Sequence, residues 1–405
     1  MARSAPEIFT ELDSPAGRAD PYPLYAELHE FGEAVRIAPG HVALVGYDAI
    51  SAALRDPDVR HADFAQVAEL IPEFAQHPSI HESRDWILNL DPPEHSRIRS
   101  LIARAFAARR IAALEPAITA MTDGLLDGMA RRGAAGSQVE FMQDFAYLLP
   151  VTVICELIGI PAADRADFRP LARAVTAVFE FSTLEELADA DKATVHLLEY
   201  FGGLAYQRRA EPRDDLLSAL VEIAGSGDGR LSDGELTRNL VLLLVAGFET
   251  TTNLLGNGLQ ILLHDPVLAA AVRTGNVPVT AFVEEVLRFD SPVQLGVNRV
   301  GHAMEISGLE LEAGDNLMPV LGAGNRDPRR FTEPDEFDPR RDEGAPLSFG
   351  GGAHFCIGAA LARLEGAVAF PRLLRRFPKI SPAGEPVRRD TLLLRGFEEL
   401  PVTVA

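Results

Sequence analysis

The chain has 405 residues, 47% of them hydrophobic, and carries a formal net charge of −21. This composition is typical of a folded globular protein and not of a disordered one. The acidic balance repels phosphate backbones and anionic membrane surfaces, so we expect neither nucleic acid nor a membrane as a partner. No linker, low-complexity tract or repeat divides the sequence, so we expect one domain over residues 1–405.

The start of the chain lacks the charged segment and apolar core of a secretory signal. The longest uninterrupted apolar run near the middle, residues 240–248, has nine residues, whereas a membrane span needs about 18. A cytoplasmic protein is therefore expected. The two cysteines are Cys155, within the apolar stretch "VICELIGIP", and Cys356. A reducing compartment argues against their pairing, and Cys155 is predicted to be plain core.

Short strands are predicted on either side of a largely helical region. "AVRIAPGHVALVGYDAI" predicts two strands around a Pro-Gly turn, and "MEISGLELEAGDNLMPVLG" predicts further short strands separated by glycines. In "DPPEHSRIR", we expect Asp91 to cap a helix that Pro92 begins. This start places His95 and Arg99 four residues apart, on one face of the helix.

The longest predicted helix begins at "LSDGELTRNL", where Ser232 and Glu235 form a capping box, and it ends at His264. From Asp233 it has 32 residues. At about 1.5 Å per residue it is roughly 48 Å long and crosses the whole molecule. It is apolar on nearly all sides, as a buried helix should be. The predicted fold class is therefore mainly α with small β-sheets.

The segment "AGFETTT" breaks several local rules within this helix. Glu249 is costly to bury, Gly247 weakens a helix, and the threonines at 250–252 are middling helix formers. Such conflicts are expected at functional sites. A polar stripe that briefly reaches solvent is the other interpretation, and this segment alone does not decide between them.

The stretch "FGGGAHFCIG" sets Cys356 at the start of a predicted helix. Free amides and the helix dipole at such a start lower the pKa of a thiol and make its thiolate a strong ligand. The glycines at 350–352 permit turns that other residues avoid, and Gly358 lets a flat body come close. Phe349 would shield the sulfur from water.

Three kinds of site could use this cysteine. Zinc and iron–sulfur sites need several cysteines or histidines at set spacings, and these are missing. A cysteine nucleophile needs a nearby base, and His354, two residues away, keeps that interpretation open. The remaining possibility is a single thiolate that ligates a haem.

The sequence resembles the cytochrome P-450 haem-thiolate monooxygenases along its whole length. "FGGGAHFCIG" matches their haem-binding signature Phe-x-x-Gly-x-His-x-Cys-x-Gly, and "AALARLE" continues as their following helix. "EEVLR" is similar to their Glu-x-x-Arg pair, "AGFETT" to their oxygen-activating segment, and "DPPEHSRIR" to their first haem-contacting helix. "NRDPRRFTEPDEFDPRR" resembles the meander that precedes their cysteine loop. The resemblance implies a cytochrome P-450 fold with haem between the long central helix and the Cys-loop helix.

The resemblance also implies roles for individual residues. The cofactor is haem b with Cys356 as the axial iron ligand, and dioxygen is a co-substrate. The expected cofactor-binding residues are His95, Arg99, Ala246, Gly247, Arg299, Phe349, His354, Cys356 and Gly358, of which His95, Arg99, Arg299 and His354 would reach the haem propionates. Glu249 and Thr250 resemble the acid–alcohol pair that delivers protons. Glu285 and Arg288 would be structural and lock to the meander. Phe248 is a departure, because many bacterial relatives carry histidine there.

The expected substrate pocket is nearly all apolar. By resemblance it is lined by Trp86, Asn89, Leu243, Phe248, Val293, Gln294, Val297, Leu393 and Leu394. Asn89 and Gln294 are its few polar handles, which suits a hydrophobic small molecule. A polyketide or macrolide secondary metabolite is the first expectation, and steroid or terpenoid hydroxylation is the second.

The implied activity is a monooxygenase that inserts one oxygen atom into a C–H or C=C bond. The chain has no Gly-rich dinucleotide fingerprint and no room for a flavin domain, so electrons from NAD(P)H would arrive through ferredoxin reductase and ferredoxin. We expect a monomer whose locally basic ferredoxin face contains Arg104, Arg109, Arg110 and Arg363. A peroxygenase would lack the pair Glu249 and Thr250, and a haem sensor would have a neutral axial ligand in place of Cys356.

Overall fold

The computed structural model describes residues 3–61, 73–180, 183–225 and 231–405. These ranges are mainly helical with small sheets, so the predicted fold class is confirmed. The helices are α1 (Ala5–Leu12), α2 (Pro15–Ala19), α3 (Tyr22–His29), α4 (Tyr47–Ala53), α5 (Pro78–Ser83), α6 (Glu94–Ala105), α7 (Ala108–Ala113), α8 (Glu115–Arg132), α9 (Leu148–Ile158), α10 (Arg165–Val175), α11 (Leu184–Ala210), α12 (Leu216–Gly225), α13 (Asp233–His264), α14 (Pro266–Thr274), α15 (Val279–Phe289), α16 (Leu321–Gly324) and α17 (Ala359–Arg376). The strands are β1 (Ala34–Ala38), β2 (His41–Leu44), β3 (Val59–His61), β4 (Gln138–Glu140), β5 (Asn298–Val300), β6 (Met304–Ile306), β7 (Leu309–Leu311), β8 (Asn316–Pro319), β9 (Ile380–Pro382), β10 (Val387–Arg388), β11 (Phe397–Glu399) and β12 (Pro401–Val404).

Helix α13 is the centre of the main hydrophobic core, with the bounds that the sequence predicts. Its capping box is present: the Glu235 amide donates to Ser232 Oγ at 3.2 Å, and the Ser232 amide donates to the Glu235 carboxylate at 2.7 Å. Among the described residues it is the one helix long and apolar enough to cross a membrane, but 83% of its most apolar window is buried inside the protein. It is therefore the core helix of this fold, packed against α9, α11 and α17.

The largest sheet has five strands in the order β1-β2-β8-β5-β3. The antiparallel pair β3 and β5 places His61 opposite Asn298 and Arg60 opposite Arg299. Because neighbouring strands bring such partners close together, side chains that are about 240 residues apart in sequence meet at this edge. This sheet edge lies beside α6 and the cysteine loop, and it contributes to the candidate site.

Helix α6 begins later than the sequence predicts. Its first residue is Glu94 and its N-cap is Pro93, so the prediction that Asp91 caps a helix begun by Pro92 is wrong. The Asp91 carboxylate instead accepts the main-chain amide of His61 at 3.1 Å. The later start still carries His95 into the core, because the His95 amide donates to the carbonyl of Asp91 at 3.0 Å.

Candidate active site

One face of α13 is open within an otherwise buried helix. Ala246 is exposed and Gly247 and Thr250 are partly exposed, whereas the residues before and after them are mostly buried. The helix is unbroken here, and the Thr250 hydroxyl donates to the Ala246 carbonyl at 2.9 Å. Leu243, one turn earlier, is 6% exposed. The face that carries residues 243, 246, 247 and 250 is therefore the part of the helix that a ligand could touch.

Glu249 lies on a different face of α13 from Thr250. Its side chain is 1% exposed, one carboxylate oxygen is paired with Arg389, and Oε2 has no partner among the described residues. Arg389 follows β10, 140 positions away in the sequence. Sequence reasoning missed Arg389, because only the packing of the C-terminal strands on α13 brings it to Glu249.

Phe248 does not line the pocket that the sequence predicts for it. The side chain is fully buried, and its ring centroid lies 6.0 Å from that of Tyr147. Since successive helical residues point about 100° apart, Phe248 faces away from the side shared by Ala246 and Thr250. The prediction that it binds substrate is therefore wrong, and the residue belongs to the core.

The cysteine loop is held by main-chain geometry. Gly350 has φ 68° and Gly352 has φ 59°, and a Cβ atom at Gly352 would lie 2.1 Å from the Leu54 carbonyl oxygen. Both positions therefore require glycine, whereas Gly351 has an extended backbone at φ −158°. The Cys356 amide donates to the Phe349 carbonyl at 2.9 Å, which closes the loop just before α17.

The Cys356 side chain is exposed at the start of α17. Although the side chain reaches the surface, the many protein atoms around the sulfur remove part of its hydration, and this desolvation is the main reason that the pKa of the thiol is raised. The Gly358 and Ala359 amides and the Arg99 and Arg363 guanidinium groups act in the opposite direction. The helix start thus favours the thiolate as predicted, but in this structure desolvation outweighs it.

Two predicted haem residues meet where the start of α6 approaches the cysteine loop. The His95 and His354 rings are 3.9 Å apart, and His95 is 1% exposed with both ring nitrogens unpartnered among the described residues. Burial is the main reason that the pKa of His95 is lowered and that of His354 falls to about 3. Arg99 donates to the Phe355 carbonyl, and Arg299 lines a neighbouring cavity of about 710 Å³. Buried donors without partners indicate that a polar ligand belongs here.

A third imidazole, which sequence reasoning missed, completes this cluster. The ring of His61, the last residue of β3, lies 4.0 Å from the ring of His354. His61 also lines the 710 Å³ cavity that Arg299 lines. No local motif marks His61, and the only signal is its place in a strand that pairs with the strand of Arg299.

Trp86, predicted to line the substrate pocket, packs among apolar side chains. This side chain is 1% exposed, and its ring lies 5.4 Å from that of Phe179, just after α10. An isolated antiparallel β-bridge joins Val293 to Leu394, and it brings two predicted pocket segments together. Leu394 is 7% exposed, and Leu393 and Val297 are partly buried.

The two predicted polar handles of the pocket are engaged within the protein. The Gln294 side chain donates to the Ser291 carbonyl at 2.7 Å and accepts from the Tyr25 hydroxyl at 3.0 Å. Both ends of its amide are thus used in a buried position, and the prediction of Gln294 as a substrate handle is wrong. Asn89 donates one N–H of its side-chain amide to the Ser83 carbonyl at 2.9 Å.

Glu285 and Arg288 form a buried pair rather than a surface one. Two parallel bonds of 2.8 Å join the guanidinium to the carboxylate, and the side chains are 5% and 2% exposed. Arg288 also donates to main-chain carbonyls of Asn325, Pro334 and Glu336. The pair thus ties α15 to the segment before the cysteine loop, in accord with the structural role that the resemblance implies.

The predicted basic face is only partly available. Arg363 forms two bonds with Glu284, at 2.5 and 2.9 Å, and Arg110 lies 3.7 Å from Asp214. These two charges are therefore partly offset by acidic neighbours, and the locally basic ferredoxin face stays a prediction. Arg104 and Arg109 are exposed, and neither forms an ion pair within the described part of the chain.

Metal chemistry from clustered protein ligands is not indicated in the described ranges. They contain no group of three or more His, Cys, Asp or Glu side chains that could hold a metal ion. Cys155, the other cysteine, is fully buried and free, as predicted for a core residue. Cys356 is therefore the exposed thiol of the described ranges, and a lone thiolate is one of the axial ligands with which proteins hold a haem.

Comparisons with known proteins agree with this geometry. A family model described as Cytochrome P450 matches residues 276–398. The chain is 41% identical to Cytochrome P450 107B1 of Saccharopolyspora erythraea over 370 residues, which are 88% of this chain and 87% of that protein. It is 36% identical to the 6-deoxyerythronolide B hydroxylase of the same organism over 403 residues, which are 97% of this chain and 98% of that protein. Among solved structures, one similar fold is that of P450BioI in complex with an acyl carrier protein ligated to hexadec-9Z-enoic acid. The match has a TM-score of 0.88 and 30% sequence identity, and it covers 96% of this chain and 99% of that one. The chain therefore belongs to the cytochrome P450 family of haem-thiolate monooxygenases.

Proposed function

We propose that this protein inserts one oxygen atom from dioxygen into a C–H or C=C bond of a hydrophobic small molecule, a macrolide or related polyketide. Two observations carry this proposal: an exposed Cys356 thiol at the start of α17, and an open face at Ala246 and Thr250 on α13, the helix against which α17 packs. One element offers a thiolate, and the other offers a small side chain and a hydroxyl. Both suit the two sides of a haem.

The residues of the site fit a bound haem. Cys356 would ligate the iron, and the donors of His95, Arg99, Arg299 and His354 would hold the two carboxylates. The buried, unpartnered nitrogens of His95 support this assignment, since a haem carboxylate would supply the acceptor that they lack. Ala246, Gly247, Phe349 and Gly358 would border the ring plane. When bound, the haem supplies the electron-rich iron centre at which dioxygen is activated.

The protein's own contribution to catalysis is the handling of protons. Thr250 Oγ1, on the open face of α13, is placed to hold a water molecule or a proton near the reacting oxygen. Glu249 is the adjacent carboxylate, with Oε2 unpartnered and the other oxygen held by Arg389. The ion pair with Arg389 would hold this buried carboxylate in position, and Glu249 would pass protons to Thr250 through water.

The substrate class is argued from the pocket wall. Trp86, Phe179, Leu243 and Leu394 are apolar, and the amide of Gln294 is used within the protein. A large hydrophobic molecule with few polar groups suits such a wall. The relative named 6-deoxyerythronolide B hydroxylase supports a macrolide-type substrate.

The remaining parts of the proposal concern the setting of the reaction. Electrons from NAD(P)H would arrive through ferredoxin reductase and ferredoxin, and Arg104 and Arg109 are the exposed cations that would steer an acidic ferredoxin. We place the protein in the cytoplasm as a monomer with one domain over residues 1–405. The acid–alcohol pair Glu249 and Thr250 favours this enzyme over a peroxygenase or a haem sensor.

The decisive experiment is turnover with ferredoxin, its reductase, NAD(P)H and dioxygen, in the absence of added peroxide. The protein should form one hydroxylated or epoxidised product for each NAD(P)H consumed. Thr250→Ala should lower product per NAD(P)H and raise hydrogen peroxide to match, because protons no longer arrive in time. Thr237→Ala is the matched control, since that hydroxyl also bonds a carbonyl four residues back, at 3.1 Å, on an exposed turn of α13. Equal coupling in Thr250→Ala and wild type would contradict the role of Thr250.

A further inference from the structure

Three imidazole rings from three separate elements meet beside the cysteine loop. His354 lies in the centre, with the ring of His95 from α6 at 3.9 Å and the ring of His61 from β3 at 4.0 Å. His95 and His354 belong to motifs that sequence reasoning recognised, and His61 does not. Strand β3 carries it there by pairing with β5, because this pairing puts His61 in the strand next to Arg299.

The cluster is short of acceptors. Both nitrogens of His95 are buried without a partner, and the carboxylate of Asp91 is used by the main-chain amide of His61 and not by an imidazole. Burial lowers the pKa of His61 to about 4, so this ring is neutral near pH 7 and can donate one N–H. The buried, unpartnered nitrogens of His95 within this ring cluster indicate that an acceptor, such as an anionic ligand, belongs here.

The neighbouring cations lead to the same conclusion. Arg60 and Arg299 are directly opposite each other on β3 and β5, a like-charge arrangement that destabilises a sheet unless an anion lies nearby. Together with Arg84 and His61 they line the cavity of about 710 Å³. None of these three arginines forms an ion pair within the described ranges. The acidic side chains that line the cavity are Asp91 and Glu94.

We propose that His61 is an additional hydrogen-bond donor to the haem carboxylates, beside His95, Arg99, Arg299 and His354. The ring would donate to a haem carboxylate held in the cavity that His61 lines together with Arg299. This inference rests on the proposed haem site. Its rival is that His61 only packs as an aromatic ring against His354. A phenylalanine would preserve that packing and remove the donor.

The test measures the rate of haem transfer from the ferric holoprotein to excess apomyoglobin. His61→Phe should release haem about tenfold faster than wild type or more, because a hydrogen bond to a charged group is lost. His61→Gln, which keeps an N–H donor, should retain most of the wild-type rate. His196→Phe is the control, since His196 is exposed on α11. Release of haem from His61→Phe at the wild-type rate would overturn the proposal.

A second measurement separates a lost hydrogen bond from a general loss of structure. Wild type and His61→Phe are reconstituted with haem dimethyl ester, whose carboxylates no longer carry charge. The difference in release rate between the two proteins should then largely disappear. A difference that persists with the ester would show that His61 acts through packing and would contradict the proposal. A wild-type protein that shows no thiolate-ligated haem would instead defeat the proposed function itself, so the two failures are distinguishable.

Discussion

Glu180 carries a carboxyl group that is largely buried, which disfavours its charged form. Replacing it by glutamine should therefore change the stability of the protein by an amount that can be worked out. The residue follows Phe179 at the wall near Trp86, and its Oε1 is buried without a partner among the described residues. Burial is the main reason that the pKa of Glu180 is raised from 4.5 to about 7. Arg389 and the polar groups of residues 391, 393 and 394 act in the opposite direction but do not cancel it.

The raised pKa fixes both the sign and the size of the effect. An acid whose folded pKa lies above its unfolded pKa favours the folded state below the unfolded value, 4.5, and this stability is lost as the pH rises through about 7. The two pKa values differ by about 2.5, and each pH unit is worth about 1.4 kcal/mol, so up to roughly 3 kcal/mol is lost. Glu180→Gln stays neutral at every pH and should avoid this loss.

The assay is urea unfolding of the holoprotein at about pH 5 and about pH 8. At about pH 8, Glu180→Gln should raise the free energy of unfolding by roughly 1 to 3 kcal/mol, whereas at about pH 5 it should stay close to wild type. Glu185→Gln, at an exposed position in the first turn of α11, is the control and should change little at either pH. A Glu180→Gln variant that is no more stable than wild type at about pH 8 would refute the reasoning.

Other substitutions test the scaffold and the electron-donor face. Arg288→Lys should lower the free energy of unfolding by about 3 kcal/mol or more, because lysine cannot reproduce the bidentate bond to Glu285 or reach three carbonyls. A loss below about 1 kcal/mol in urea unfolding would contradict this expectation. Gly352→Ala should cost at least about 1 kcal/mol in the same assay, because φ is 59° and the new Cβ would meet the Leu54 carbonyl; an unchanged midpoint would count against the loop geometry. Arg104→Glu should slow ferredoxin-driven reduction severalfold at low salt and leave substrate binding intact, and the difference should shrink as salt rises. Equal reduction rates at low salt would place the ferredoxin elsewhere.

The parts of the structure that local rules determine were predictable from the sequence. Helix α13 has its predicted bounds because Ser232 and Glu235 form a capping box within one turn. The sequence also indicates Cys356 and its glycine-rich loop, because "FGGGAHFCIG" resembles the haem-binding signature of the family. The start of α6 was mispredicted because Pro93, not Asp91, occupies the cap position.

The parts that depend on packing could not be predicted from local patterns. Phe248 and Gln294 are in segments that border the site, but their side chains face the core, and only the three-dimensional arrangement determines which face is open. Arg389 and His61 reach the site through distant strands and carry no local motif. In each case the sequence supplies the residue type, and the tertiary structure decides what it contacts.

The central claim, that Cys356 ligates a haem iron through its sulfur, is tested most directly by the carbon-monoxide difference spectrum of the reduced protein. Wild type should show the thiolate-type band. Cys356→Ser should lose that band, because a hydroxyl is a poor anionic ligand near neutral pH. Cys155→Ser, at the buried cysteine, should retain it. A thiolate-type band that persists in Cys356→Ser, or its absence from wild type with haem bound, would contradict the account.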